Sequence, residues 1–479
     1  MALASVLVLV SIPFDLIPLL RGPAPYPPEW QWAFRPEGPA RPLLAAAACA
    51  LALLALLAAS GGAWAARHST TAARTLVAGA ILLGCGLQIA LLAREPGHPL
   101  RTLLSRTQSR SFTSYHAVAI SPEARDPVSY VRHHAERLPA LARSAKHAAT
   151  HPPGPVLYYR AALALCEASA SLTDALLGAA EVPDREFRPP ATRAARAAAL
   201  LGALLLGLLG ALTAWPISHL AMALGVEAIP AGRLAVLWAL LPGPALMMPQ
   251  FDHALALPVV AATTLLLAAS HGRGAWKAAV GGLLGGVAIF ASYGAAVFLA
   301  IGGLAALAAL GAGQGRRPTL LAGLAGGMAA LTAFGVPAVL GHDPVNAMLT
   351  ALSIHREMYT APRSYPLWLL FNPLDLALFL GVPMAIAGLL LLRGSIRRAT
   401  SGVALSAIDR FRLATFGGVG LLVLLGVTRG EVGRLWIPLM PLLLVASLAG
   451  PKEPRLGDVL LKGVLLAALT LTIGSYWIV

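Results

Sequence analysis

Ala197-Ala-Ala-Leu-Leu-Gly-Ala-Leu-Leu-Leu-Gly-Leu-Leu-Gly-Ala-Leu-Thr-Ala214 contains no charged residue, and its reading decides the fold class. A helix rises 1.5 Å per residue, so about twenty apolar residues cross the ~30 Å hydrocarbon core of a bilayer. Similar runs recur along the whole chain. They fall at 1–20, 42–66, 75–93, 155–179, 196–224, 230–248, 253–270, 277–292, 294–313, 319–341, 369–392, 413–428, 435–449 and 458–478. The 479 residues are 57% apolar and 12% charged, whereas soluble domains carry about a quarter charged residues. Mean hydropathy is +0.73. The expected fold is an all-α, polytopic transmembrane protein with about thirteen crossings.

The net charge of +15 belongs to short gaps between apolar runs rather than to one basic domain. That pattern is the cytoplasmic-loop signature of membrane proteins and argues against a nucleic-acid partner. The basic gaps are Arg67–Arg74, Arg185–Arg196, Arg273–Lys277, Arg316–Arg317, Arg393–Arg412 and Lys452–Arg455. Placing them in the cytoplasm puts the N-terminus there too, and turns segments 94–154, 342–368 and 429–434 outward. Parity then requires that one segment within 196–248 does not fully cross. Pro216, Pro242, Pro244 and Pro249 make this region a place for broken or merely kinked helices. Residues 1–20 lack a basic leader and a small-residue cleavage site, so they are expected to form a retained first span. Cys49, Cys85 and Cys166 lie in apolar segments without metal-binding spacing. Gly281, Gly282, Gly285 and Gly286 permit close helix packing.

Segment 94–154, about sixty residues long, is the most polar part of the chain. It contains Arg110-Ser-Phe-Thr-Ser-Tyr-His116, Asp126-Pro-Val-Ser-Tyr130, Lys146 and Thr150-His-Pro-Pro-Gly-Pro155. Loops of this length in compact proteins are usually functional or disordered. Its amphipathic stretches are expected to lie on the membrane as short helices.

A long loop that holds an acidic residue and ends in His-Pro-Pro resembles the GT-C glycosyltransferases, among them the protein O-mannosyltransferases and aminoarabinose transferases. Pro249-Gln-Phe-Asp252 opening a span is similar to an acidic position in that superfamily. The stretch from Arg273 to Tyr293 looks like its basic loop and Gly-rich span, with Ser292-Tyr293 where many members carry lysine. Arg429-Gly-Glu-Val-Gly-Arg-Leu-Trp436 resembles an outward turn of bacterial members. The resemblance covers about 75–441. It divides the chain into two additional N-terminal helices (1–74), a catalytic module (75–341) and C-terminal helices (342–479).

The resemblance implies an inverting transferase that takes a sugar from a polyprenyl-phosphate donor to an extracytoplasmic glycan, lipid or protein, with a carboxylate as base. Such chemistry needs a proton acceptor for the attacking hydroxyl and cations for the departing phosphate. Asp126 is the first candidate base, and the alternative is that Asp126-Pro127 caps a short helix. Glu29, within Tyr26-Pro-Pro-Glu-Trp-Gln-Trp32, is the second, beside Trp30 and Trp32 read as interfacial anchors. Asp252, at the start of a span, is a candidate acceptor or cation contact. Lys146, His151, Arg363 and Arg434 are candidate phosphate ligands. Tyr115, His116, His355, Tyr365 and Glu431 are further candidates, and Glu431 with Arg434 equally fits a structural ion pair. The residues leave a divalent cation open. Alanine and arginine richness points to a bacterial inner membrane.

Phosphate-loop, His-Glu-x-x-His and Gly-x-Ser-x-Gly patterns are absent, which excludes the corresponding ATPase, zincin and serine hydrolase classes. A secondary transporter or lipid flippase is the leading alternative, although no internal repeat is visible. An envelope polysaccharide ligase is the third reading, because such enzymes also use a large basic outer loop.

Overall fold

The computed structural model describes residues 1–182, 192–272, 274–311, 315–448 and 454–479. Arg185, Arg273 and Lys452, which help define the expected basic loops, lie outside the described residues. Among those described, the secondary structure is helical apart from one strand pair. Ala33 and Phe34 lie antiparallel to Ile478 and Trp477.

The chain is a helical membrane protein. Five helices are long and apolar enough to cross a bilayer: Ser69–Arg94, Arg193–Ala223, Phe251–Ser270, Arg317–Val339 and Leu456–Tyr476. Two apolar helix pairs, Gly154–Ala168 with Ala170–Ala179 and Tyr365–Phe379 with Val382–Thr400, bend by 108° and 114° at their breaks, the geometry of a broken span or a re-entrant segment. The second break falls just before Pro383, which has no N–H to continue a helical ladder. Shorter apolar helices fill the rest of the bundle: Ala2–Ser11, Leu44–Ala59, Ala228–Leu240, Trp276–Ala291, Ala295–Leu310 and Ile437–Leu448.

Two expectations need adjustment. Residues 1–20 do not form one span. The helix covers only Ala2–Ser11, roughly 15 Å at the helical rise. Pro13 and Pro18 interrupt the apolar run, and Pro18 starts a 3-10 turn over Pro18–Arg21. In the proline-rich region, 193–223 runs through as one span, and the interruption comes later, at Leu241. There Ala228–Leu240 gives way to the short helix Pro242–Leu246.

Helix Ala228–Leu240 sits at the centre, with every residue from Pro230 to Leu240 buried. It packs against Ser69–Leu91, Ala214–Ala223 and Leu456–Tyr476. Protein therefore covers the broken backbone at Leu241, the condition under which irregular structure is tolerated inside a membrane protein. Arg233 in this helix donates from Nε to Ser60 Oγ at 2.8 Å.

Segment 94–154 folds as expected into short helices: Pro99–Gln108, Tyr115–Ala119, Pro127–Arg132, His134–Ser144 and Lys146–Ala149. Much of the basic stretch 393–412 is itself helical, and Asp409 braces it. Asp409 accepts from Arg398 Nη2 at 2.5 Å and Arg412 Nη1 at 3.0 Å, and forms a capping box with Ser406. Helix Ala407–Leu425 leads from that cluster to the turn at 426–434, which borders the candidate site.

Candidate functional site

A cavity of about 840 Å³ opens where five segments meet: 21–34, 106–112, 143–147, 247–250 and 431–434. The C-terminal residues Ile478 and Val479 complete its wall. Its lining mixes the apolar Tyr26, Trp30, Trp32, Phe34, Phe112 and Met248 with the basic Arg21, Arg106, Arg110, Arg143, Lys146 and Arg434 and the single acid Glu431. The two kinds interleave: the Arg106 guanidinium lies 4.9 Å from the Phe112 ring and that of Arg21 5.8 Å from the Phe34 ring.

The cations divide into two sets. Arg21 is braced by Asp15 at 2.8 Å, Arg106 by Glu95, and Arg434 by Glu431 at 2.7 Å. Arg110, Arg143 and Lys146 are exposed and make no ion pair or side-chain hydrogen bond to other described residues. Three positive charges of the lining are thus left without an ionic partner among the described residues.

The turn Arg429–Arg434 gets its shape from local sequence. Gly430 has φ +96°, and a Cβ there would meet Arg363 Nη1 at 2.6 Å and Trp30 Cβ at 2.9 Å. The Gly430 N–H donates to Asn372 Oδ1, and Asn372 Nδ2 donates to the Thr428 carbonyl. The Gly433 N–H donates to Asp375 Oδ2, while Asp375 Oδ1 accepts from Trp32 Nε1. Helix Tyr365–Phe379 therefore fastens both the turn and the first segment. The result is an ionic chain in which Asp252 lies 3.8 Å from Arg434 Nε, Arg434 pairs with Glu431, and Glu431 lies 3.6 Å from Arg363. Burial alone would lower the Arg434 pKa, but the Glu431 and Asp252 carboxylates outweigh it and raise it.

A side chamber of about 50 Å³ adjoins the cavity and shares His147, Tyr359, Glu431 and Arg434 with it. Thr150, His151, His355 and Arg363 line the remainder. His355 ends helix Pro344–His355, and Tyr359 lies on the π-helical turn Arg356–Thr360 that follows. Burial lowers His147 to about 4, helped by Arg434. Burial and then His147 lower His151 to about 3, and burial also lowers His355. Each of the three imidazoles is thereby biased toward its neutral form. Tyr359 is raised by burial and by Glu431.

The structure gathers eight of the twelve residues singled out from sequence. Lys146, Arg434 and Glu431 line the cavity, and His151, His355 and Arg363 line the chamber. Asp252 pairs with Arg434, and the Tyr115 ring lies 5.4 Å from that of His151. The other four are placed elsewhere. Asp126 is exposed, lines neither space and accepts from Val128 N at 3.0 Å, so its contacts are those of a helix cap. Glu29 is buried, with its two oxygens accepting from Ser364 N at 2.8 Å and Trp368 Nε1 at 2.7 Å. His116 is buried against the Ala195 carbonyl at 2.8 Å. Tyr365 donates to the Leu424 carbonyl beneath Arg429.

Trp30 and Trp32, expected as interfacial anchors, instead form a cavity wall, with the Arg363 guanidinium 5.8 Å from the Trp30 ring. Sequence reasoning passed over Arg21, Arg106, Arg110, Arg143, His147 and Tyr359. Arg143 lies in the last turn of one helix and Lys146 and His147 begin the next across the break at Ala145, so no helical period in the sequence links them.

Among the described residues, no group of three or more His, Cys, Asp or Glu side chains is arranged to hold a metal ion. No family model matches the chain, and neither a curated protein nor a solved structure is significantly similar to it.

Proposed function

We propose that the chain is a membrane-embedded glycosyltransferase of the GT-C kind, which takes a sugar from a polyprenyl-phosphate donor held in the 840 Å³ cavity. The observation that carries this reading is the cavity's polarity. The lining mixes aromatic and methionine side chains with three exposed cations that have no partner among the described residues, and an amphiphile with an anionic head matches both kinds of group. The lipid phosphate gains negative charge as its bond to the anomeric carbon of the sugar breaks and it departs as a phosphate monoester. Preorganised arginines facing that charge stabilise the transition state more than the ground state. Aromatic faces suit the apolar side of a sugar ring or the first isoprene units.

In this reading the cavity faces the outside of a bacterial inner membrane, with the N-terminus in the cytoplasm. The five long helices, the two bent pairs and the six shorter apolar helices make thirteen apolar segments, of which Ala2–Ser11, roughly 15 Å long, is too short to cross by itself.

The test is binding and turnover with purified protein in nanodiscs. Radiolabelled polyprenyl-phosphate sugars are presented as a panel, with membrane extract as the source of acceptor. Saturable binding of at least one donor, with release of polyprenyl phosphate, is the expected result. Failure to bind any donor, together with uptake of a solute by proteoliposomes, overturns the reading in favour of transport.

A further inference from the structure

The tautomer of His151 has a chemical consequence. Its Nδ1 lies 2.8 Å from the His147 carbonyl oxygen, which can only accept. Nδ1 therefore carries the proton, and Nε2 keeps a free lone pair. Thr150 Oγ1, 3.1 Å from the same Nδ1, does not alter this, because the hydroxyl can accept there. The peptide of His151 is also fixed, since its carbonyl accepts from His134 Nε2 at 3.1 Å.

Two carboxylates near the cavity, Glu29 and Glu431, are already committed. Glu29 accepts two hydrogen bonds, and Glu431 sits between Arg434 and Arg363. Asp252 lies beside Arg434 and lines neither space, while Asp126 caps a helix outside both. The chamber wall thus offers an imidazole with an open lone pair. Its volume of about 50 Å³ admits a water molecule or a hydroxyl-bearing carbon and excludes a sugar ring.

We propose that His151 is the general base of the transfer and that the side chamber is the subsite for the acceptor hydroxyl. This rests on the transferase reading above. In the step, the acceptor oxygen forms a bond to the anomeric carbon of the donor sugar. The bond from that carbon to the phosphate oxygen breaks, and its electron pair leaves on the lipid phosphate. The hydroxyl proton passes to His151 Nε2, and the resulting imidazolium later gives it to the departing phosphate monoester.

A base that is hard to protonate in the free protein must be strengthened when substrate arrives. The groups around His151 are the His147 and His355 imidazoles, the guanidiniums of Arg434, Arg363 and Arg429, the Glu431 carboxylate, and the neutral Tyr115 and Tyr359. After burial itself, His147, His355 and Arg434 hold its pKa down. An anionic phosphodiester beside Arg434 offsets them and raises the basicity of Nε2. The base then becomes competent only when the donor is bound, which limits idle proton uptake.

The experiment compares wild type, His151→Asn and His151→Ala, using donor binding and donor hydrolysis to water as separate readouts. The asparagine amide can replace Nδ1–H toward the His147 carbonyl, so this variant keeps the local hydrogen bond and tests chemistry rather than folding. The proposal expects donor affinity within about threefold of wild type, kcat lowered by roughly 10²–10⁴, and partial rescue of His151→Ala by added imidazole. In wild type the acid limb of kcat should lie at higher pH than that of kcat/KM, because bound donor raises the base. Retained kcat with weakened donor binding in His151→Asn overturns the proposal and makes His151 a phosphate ligand, leaving the transferase reading intact. If wild type binds no donor at all, the transferase reading falls and the base assignment falls with it.

Discussion

The Arg434 guanidinium meets the Glu431 carboxylate at 2.7 Å across one turn of the short helix Val432–Leu435, and both side chains are largely buried. Glu431 also faces Arg363, so it serves two guanidinium groups, with Asp252 as a more distant second carboxylate beside Arg434. Glu431→Gln leaves both cations in a poorly solvated site. The expected loss is on the order of 3 kcal/mol of stability, read as a lower denaturation midpoint in detergent. Replacing Arg434 with Met in the same chain should recover part of that loss, because the uncompensated charge goes with it. A double variant no more stable than the single one would show that the pair acts through packing alone.

Asp126 offers a sharp contrast between two roles. Its carboxylate accepts from Val128 N, as an N-cap does, and Asn caps about as well as Asp. Asp126→Asn should therefore keep full turnover and stability, while Asp126→Ala should lose about 1 kcal/mol of stability. A large drop in kcat for Asp126→Asn at unchanged stability would return the residue to the chemistry.

The contrast also shows what the sequence could and could not convey. Helical membrane character was plain, because hydropathy sums over twenty residues and tolerates local error. The breaks were visible only as prolines. Nothing in the residues themselves distinguished the continuous helix through Pro216 from the break at Leu241, because that choice depends on which neighbours cover the freed backbone. In the site, residues within one motif were read together correctly, as with Glu431 and Arg434. The pairing of Glu29 with Ser364 and Trp368 joins positions more than 300 residues apart, and only packing reveals that both its oxygens are occupied. Unpaired polar residues in a loop look alike in sequence. Exposure and partners separate Asp126 from His151.

The exposed cations of the lining test the cavity's ligand class without disturbing its frame. Arg110, Arg143 and Lys146 are exposed and hold no side-chain partner among the described residues, so changing all three to Gln should leave the denaturation midpoint unchanged. Affinity for a polyprenyl-phosphate probe should fall by roughly tenfold or more, at a few tenths to 1 kcal/mol per exposed charge. The loss should shrink as salt is raised, because exposed charges are screened. Equal affinity for wild type and triple variant at low salt would remove these residues from ligand binding.

Acid sensitivity should centre on His134. It is fully buried, its ring lies 6.0 Å from His342 and 5.5 Å from Tyr130, and Arg137 stands over the Tyr130 ring. Burial, then His342 and Arg137, lower its pKa from 6.5 to about 4, against the pull of the His151 carbonyl. The unfolded chain therefore binds a proton at higher pH than the folded one. The neutral imidazole's contribution is complete above about pH 6.5 and is lost as pH falls toward 4, on the order of 3 kcal/mol in all. His342, also lowered by burial, adds to the effect in the same direction, with Asp343 opposing it. His134→Gln keeps a donor for the His151 carbonyl and cannot titrate, so its midpoint should change less between pH 7 and pH 5 than that of wild type. Because His134 holds the His151 carbonyl, acid should also loosen the chamber before the apolar bundle unfolds. Hydrogen exchange would show this as early loss of protection around 134–151 and 342–351. Uniform loss across all helices would place the acid-sensitive group elsewhere.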